Sequence, residues 1–235
     1  MPRQSTATLP DAVIFDMDGV LVDTYRAHYE SWRELTQAEG LDFSEEDFAA
    51  TFGCTSREVL MGLGRRQGRE VSDAEVAAMD ARKEAAFRRI IAAQVPVMPG
   101  ALELLDQLHA AGFRLALGSS APPENVELVM DRLELGRLLD AVVTGRDVTR
   151  GKPDPQVFLL AAERLGVPPG RCVVIEDAPV GIAAARAAGM AAVGLASTGR
   201  TRHSLAAADL VIDRLDELSP DRLRRLIAAR SGPCG

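Results

Sequence analysis

A chain of 235 residues, 47% hydrophobic and 26% charged, has the balance of a folded globular protein, which excludes a disordered or fibrous one. It is long enough for one large domain, or for a medium domain carrying a smaller insertion. The net charge of -7 excludes a broad cationic footprint for nucleic acid or an anionic membrane, so local charges or a metal must hold any anionic ligand.

Met1 to Pro10 reads as a loose leader without the apolar core of a signal peptide. The first element is a buried parallel strand, Ala12 to Phe15. From Arg26 to Ala93 the periodicity is helical and no strand is convincing, so a helical insertion of about 65 residues is expected there, enough for a small domain. The two prolines and the glycine of Val95 to Gly100 mark the return to the sheet. Strands follow at Phe113 to Leu117, Ala141 to Val143, Cys172 to Ile175, Ala191 to Leu195 and Leu210 to Ile212. Amphipathic or Ala-rich helical stretches separate them: Gly100 to Ala111, Glu124 to Leu133, Pro155 to Leu165, Val180 to Ala188 and Asp221 to Ala229. Such alternation predicts an α/β fold with a doubly wound parallel sheet. Its core is expected at 11–25 and 96–235, with the helical domain at 26–95. Ser231 to Gly235 reads as a frayed tail. The three cysteines, Cys54, Cys172 and Cys234, are too far apart for a usual zinc or redox motif, so reduced thiols in a cytoplasm are expected. No apolar run approaches the roughly 20 residues of a membrane-spanning helix.

The residues that carry chemistry lie at strand ends. Asp16 and Asp18 follow the first strand, where ligands of open α/β sheets bind. Two bare carboxylates so close to a buried strand repel each other, and a divalent cation or a shared proton resolves the conflict. Glu176 and Asp177 repeat the arrangement after Cys172 to Ile175. Four hard oxygen donors at one edge suit Mg²⁺. Ser119 and Ser120 end another strand, and Lys152 precedes a helix; hydroxyls, amides and an ammonium would cradle phosphate oxygens. Taken singly, Asp16 with Asp18 reads as a turn, Ser119 with Ser120 as a helix cap, Lys152 as a surface charge and Glu176 with Asp177 as a cap.

In this order, FDMDGVLVDT (Phe15 to Thr24), Ser119-Ser120, GKPDP (Gly151 to Pro155) and EDAPVG (Glu176 to Gly181) resemble the motifs of the haloacid dehalogenase superfamily. The subgroup with β-phosphoglucomutase and small sugar-phosphate phosphatases is the most similar. The resemblance spans Asp11 to Leu218 and implies a Rossmann-like core with an inserted helical cap. It implies Asp16 as the nucleophile that forms an aspartyl phosphate and Asp18 as general acid and base. Asp16, Glu176, Asp177 and the backbone carbonyl of Asp18 would bind Mg²⁺, with Ser119, Ser120 and Lys152 on the phosphoryl oxygens. In the cap the resemblance points to Thr24, His28 and Lys83 near the hinge and the catalytic machinery, and to Gly53 and Arg57 in a substrate-specificity loop. An anion-binding fork suits Arg57, while a solvated helix start suits it equally.

Phe52 and Ala121-Pro122-Pro123 stand where the mutase has side-chain donors for a second phosphate, which tilts the expectation toward hydrolysis of a small phosphorylated metabolite such as a sugar phosphate. The alternatives are a phosphosugar mutase and, from another class, a non-enzymatic phospho-ligand sensor. Asp18 and Asp177 speak against a dehalogenase. The expectation that Lys83 lacks apolar neighbours speaks against an imine-forming phosphonoacetaldehyde hydrolase. Trp32, Tyr25 and Tyr29 read as cap-helix packing, and with no heptad seam a monomer is the default.

Overall fold

The computed structural model describes residues 10–231; Met1 to Leu9 of the expected leader, most of the expected tail and Cys234 lie outside the described residues. The described residues divide into two compact units, 10–22 with 97–231, and Asp23–Pro96.

Among its described residues the first unit holds six parallel strands: β1 (Ala12–Phe15), β2 (Arg114–Gly118), β3 (Ala141–Val143), β4 (Cys172–Glu176), β5 (Ala191–Leu195) and β6 (Leu210–Ile212). Their order is β3-β2-β1-β4-β5-β6, so the chain winds outward from β1 first on one side and then on the other. The helices of this unit are α5 (Ala101–Ala110), α6 (Pro123–Arg132), α7 (Gln156–Leu165), α8 (Pro179–Ala187) and α9 (Pro220–Ser231), numbered after four in the second unit, α1 (Tyr25–Ala38), α2 (Glu45–Thr51), α3 (Ser56–Arg66) and α4 (Asp73–Ala93).

Strand side chains alternate between faces, so both faces of a central strand must be apolar when helices cover both. All four residues of β1 are fully buried. Ala12 and Ile14 join Ala116, Cys172, Val174 and Ala192 beneath Phe158 of α7 and Ile182 of α8. Helices α5 and α9 contact β2, β4 and β5. Pairing sets the level of each strand end. Phe15 is level with Leu117 of β2 and Ile175 of β4, so Asp16 emerges beside Gly118 and Glu176.

The second unit is helical throughout. Ser44, Thr55 and Ser72 each start a helix with a reciprocal capping box, to Asp47, Glu58 and Glu75. Its core packs Trp32 and Leu35 of α1 with Phe48, Leu60, Leu63 and Met79, and Tyr25 and Tyr29 lie against it. Asp23 to Tyr25 and Pro96 belong to this unit: Asp23 N–H donates to Pro96 O at 2.7 Å, so the two connecting segments pair.

Candidate active site

Asp16 is tied to β4 through its backbone, where its N–H donates to Ile175 O at 3.0 Å. One oxygen from each of Asp16, Glu176 and Asp177 lies within 4.8 Å of the others, a group able to hold a divalent metal ion. All three are buried, as is the Lys152 side chain, whose Nζ donates to Asp16 Oδ1 at 2.7 Å and to Glu176 Oε1 at 2.6 Å. Glu176 also accepts from Ala178 N–H at 2.8 Å through Oε2, so it braces the first turn of α8 while facing the lysine. Cap and ligand are compatible roles for one carboxylate. Two glycines make room for these acids. A Cβ on Gly19 would stand 2.5 Å from Asp177 Oδ2, and one on Gly181 would stand 1.8 Å from Glu176 Oε1. Gly19 is also at φ +77°, which the turn after Asp18 requires.

The donor set is all oxygen, two of its acids are pressed against glycine backbone, and a lysine neutralises only part of its charge. Hard cations such as Mg²⁺ fit such a set, and soft-ligand metals do not. The carboxylate of Asp18, half-buried, is not a member of this group.

Electrostatics follow from the crowding. Burial pushes the Asp16 carboxyl up to about 7; the Lys152 charge opposes this, and the charges of Glu176 and Asp18 add to it. Burial also raises Asp177 well above the usual carboxylate range, helped by Glu176 and Asp16 and opposed by Arg200 and Lys152. Burial alone would lower Lys152, but the charges of Asp16 and Glu176 outweigh it and its pKa is raised.

Ser119 is buried at the end of β2. Its N–H donates to Val143 O at 3.0 Å and its Oγ accepts from Ala121 N–H at 3.1 Å. Ser120 is exposed, and its carbonyl packs under Gly145, where a Cβ would stand 2.5 Å away. The structure thus separates the two serines: Ser119 is held at the strand end and Ser120 turns outward.

The sequence pattern of the haloacid dehalogenase-like hydrolases matches residues 10–189, which include the clustered acids, Lys152 and both serines but not Arg200. The chain belongs to that family. Among the relatives of this hydrolase, the CbbY protein of Rhodobacter capsulatus is 33% identical over 92% of the chain and 98% of its own length. A phosphorylated carbohydrates phosphatase of Thermotoga maritima is 34% identical over 77% of the chain and 82% of its own length. The structure of β-phosphoglucomutase from Clostridium difficile superposes with a TM-score of 0.82 at 26% identity, covering 96% of this chain and all of that one. The hydrolase therefore has the family's α/β core with a helical cap.

The remaining sequence-derived candidates belong to the helical cap. Thr24 is fully buried just before α1, and its carbonyl accepts from His28 N–H at 2.9 Å. His28 Nδ1 lies 2.9 Å from Lys83 Nζ, and its ring stacks on Phe87 with centroids 4.1 Å apart. The expectation that Lys83 lacks apolar neighbours is corrected. Lys83 is 4% exposed, its Nζ lies over the rings of Trp32 and Phe87, and it donates to Glu84 Oε1 at 2.7 Å. Phe87 is one helical turn along α4, and Trp32 arrives because α1 packs on α4. Gly53 is exposed in the turn after α2, and Arg57 is exposed in the first turn of α3, ion-paired with Asp73. An exposed pair of this kind contributes little stability.

Sequence reasoning missed Arg200, whose Nε donates to Asp177 Oδ2 at 3.4 Å. It sits in a Ser-Thr-Gly segment with no motif, and the one available signal was its position at the carboxyl end of β5 beside β4. Among the described residues no helix is long and apolar enough to cross a membrane.

Proposed function

We propose that this hydrolase releases phosphate from a small phosphorylated metabolite, such as a sugar phosphate, by transferring the phosphoryl group to Asp16 and then to water. The observation that carries this reading is the contact of Lys152 Nζ with Asp16 Oδ1 at 2.7 Å, inside a buried cluster that also includes Glu176 and Asp177. A lysine so placed points a fixed positive charge at the atom that would meet phosphorus, and phosphoryl transfer depends mainly on such positioning.

In this reading Asp16 attacks phosphorus and the ester oxygen leaves with a proton from Asp18. Asp18 then takes a proton from the water that opens the aspartyl phosphate, which returns Asp16 as a carboxylate. Ser119 and Lys152 hold the equatorial phosphoryl oxygens, and Ser120, whose side chain is exposed, contributes at most its backbone N–H. Asp16, Glu176, Asp177 and the Asp18 backbone carbonyl would hold Mg²⁺, which when bound would offset the charge of the acids and of the phosphoryl oxygens. Thr24, His28, Gly53, Arg57 and Lys83 belong to the cap's part in substrate choice.

The Thermotoga relative is named for dephosphorylating carbohydrates, which supports a sugar phosphate as substrate. The likeness to β-phosphoglucomutase supports a mutase as the second reading. Hydrolysis is favoured over it because Phe52 is engaged with the Tyr25 and Phe48 rings, and Pro122-Pro123 begins α6 with no side-chain donor.

The test is phosphate release from a panel of sugar phosphates with Mg²⁺, for wild type and Asp16→Asn, with isomerisation of β-glucose 1-phosphate followed in parallel. Release that depends on Asp16 supports the phosphatase. Isomerisation that outpaces release supports the mutase, and binding without turnover in the wild type identifies a sensor.

A further inference from the structure

Lys152 satisfies two of the three clustered acids, Asp16 and Glu176. The third, Asp177, faces a different cation, Arg200. Topology puts that cation there. β5 lies next to β4 on the side away from β1, so the chain leaving the carboxyl end of β5 passes the acid that follows β4. A tight turn holds the segment: Ser197 N–H donates to Leu195 O at 2.8 Å, Arg200 N–H donates to Ser197 O at 3.0 Å, and Gly199 takes φ +78°. The Arg200 side chain is only 14% exposed and that of Asp177 6%, so the contact is withdrawn from most of the solvent screening that makes surface pairs weak.

A count of charges shows what a second cation does at this position. Three carboxylates, ionised as metal ligands must be, leave two negative charges after Lys152 is subtracted. A divalent ion would cancel these, and a phosphoryl dianion would then restore them in a buried place where screening is poor. Arg200 halves that excess. The same guanidinium opposes a divalent ion when no phosphate is present, because it is a like charge on the same ligand group.

Resting on the phosphoryl-transfer reading, we propose that Arg200 is a charge-balancing residue of this site: it weakens metal binding to the phosphate-free protein and strengthens phosphate binding to the metal-loaded one. It acts through its field and through Asp177, and it lies outside all four motifs.

The two effects have opposite signs, which separates charge from scaffolding. Wild type, Arg200→Ala, Arg200→Gln and Arg200→Lys are stripped with chelator, checked for folding by thermal melting, and titrated calorimetrically with Mg²⁺ alone. They are then titrated with inorganic phosphate at saturating Mg²⁺. Arg200→Ala and Arg200→Gln are expected to bind Mg²⁺ at least about tenfold tighter and phosphate at least about tenfold weaker, a floor set by Coulomb's law at full water-like screening. Arg200→Lys is expected to stay within about threefold of wild type in both titrations, because it keeps the charge. Weakening of both ligands, a change in only one, or no change overturns the proposal. A wild type that binds neither ligand overturns the phosphoryl-transfer reading and this proposal with it, whereas a wild type that binds both and is matched by Arg200→Ala overturns this proposal alone.

Discussion

Gly181→Ala tests the seating of Glu176 with a single methyl group. The new Cβ would stand 1.8 Å from Glu176 Oε1 and 2.6 Å from Oε2, and both oxygens are engaged, with Lys152 Nζ at 2.6 Å and Ala178 N–H at 2.8 Å. Either the carboxylate leaves these partners or the first turn of α8 lifts from β4. Losing a hydrogen bond to a charged group costs about 1.5–3 kcal/mol, and overpacking a core costs about 1–3 kcal/mol. These alternatives overlap and are not summed. Alanine returns about 1 kcal/mol as the better helix former. The net expectation is a loss of about 1–2 kcal/mol by urea denaturation. Phosphate release should fall by about 100-fold, because Lys152 loses one of the two carboxylates that aim it. Gly62→Ala in α3 is the internal control, since its Cβ would meet nothing within 4 Å and should stabilise by about 0.4–1 kcal/mol. If Gly181→Ala behaves like Gly62→Ala in both assays, Glu176 is not held as described.

Asp16→Asn keeps the shape of the side chain and removes its charge, so phosphate release is expected to fall below detection while the thermal midpoint holds or rises; a fully active variant rules out Asp16 as nucleophile. The metal-free protein should become less stable as pH rises from about 4 to about 7, because folded Asp16, raised to about 7, keeps a proton that the unfolded chain has already lost. Melting curves with and without Mg²⁺ check this, and the stabilisation by Mg²⁺ should be larger at pH 8 than at pH 5, since the metal needs the ionised carboxylate. Lys152→Met leaves Asp16 and Glu176 buried without their shared cation and should destabilise the metal-free protein by about 3–5 kcal/mol, a loss that saturating Mg²⁺ should largely recover. Ser72→Ala removes the cap of α4 and should cost about 1 kcal/mol with no effect on the phosphate-release assay beyond that stability loss.

The core was legible because a strand covered on both faces must be apolar throughout, and β1 and β4 are such runs, each ending in acids. The four motif segments could be ordered along the chain without knowing which strands adjoin. That Asp16 emerges beside Glu176 depends on β1 pairing with β4, a long-range contact with no local trace. Ser119 and Ser120 could not be separated for the same reason, since one is fixed by the carbonyl of Val143 on another strand. Arg200 escaped notice because an arginine in a polar loop is the commonest of surface features. The apolar surroundings of Lys83 are legible locally: Phe87 is one helical turn away, and Lys83 and Lys152 are the only two lysines among 27 basic residues. In a chain that otherwise uses arginine for its cations, a retained lysine is itself a signal.

The paired segments that enter and leave the helical unit have a practical consequence. Val22 and Val97 face each other across an antiparallel bridge, and Asp23 N–H meets Pro96 O. The α/β unit therefore presents its two cut ends side by side, in the geometry that a short hairpin turn closes at little entropic cost. Residues 24–95 are expected to behave as a cassette, to be excised and replaced by a turn or exchanged for a relative's segment with the sheet's strand order and register left intact. If the cap chooses the substrate as proposed, such grafts would transplant substrate preference between scaffolds as a single cut-and-paste unit.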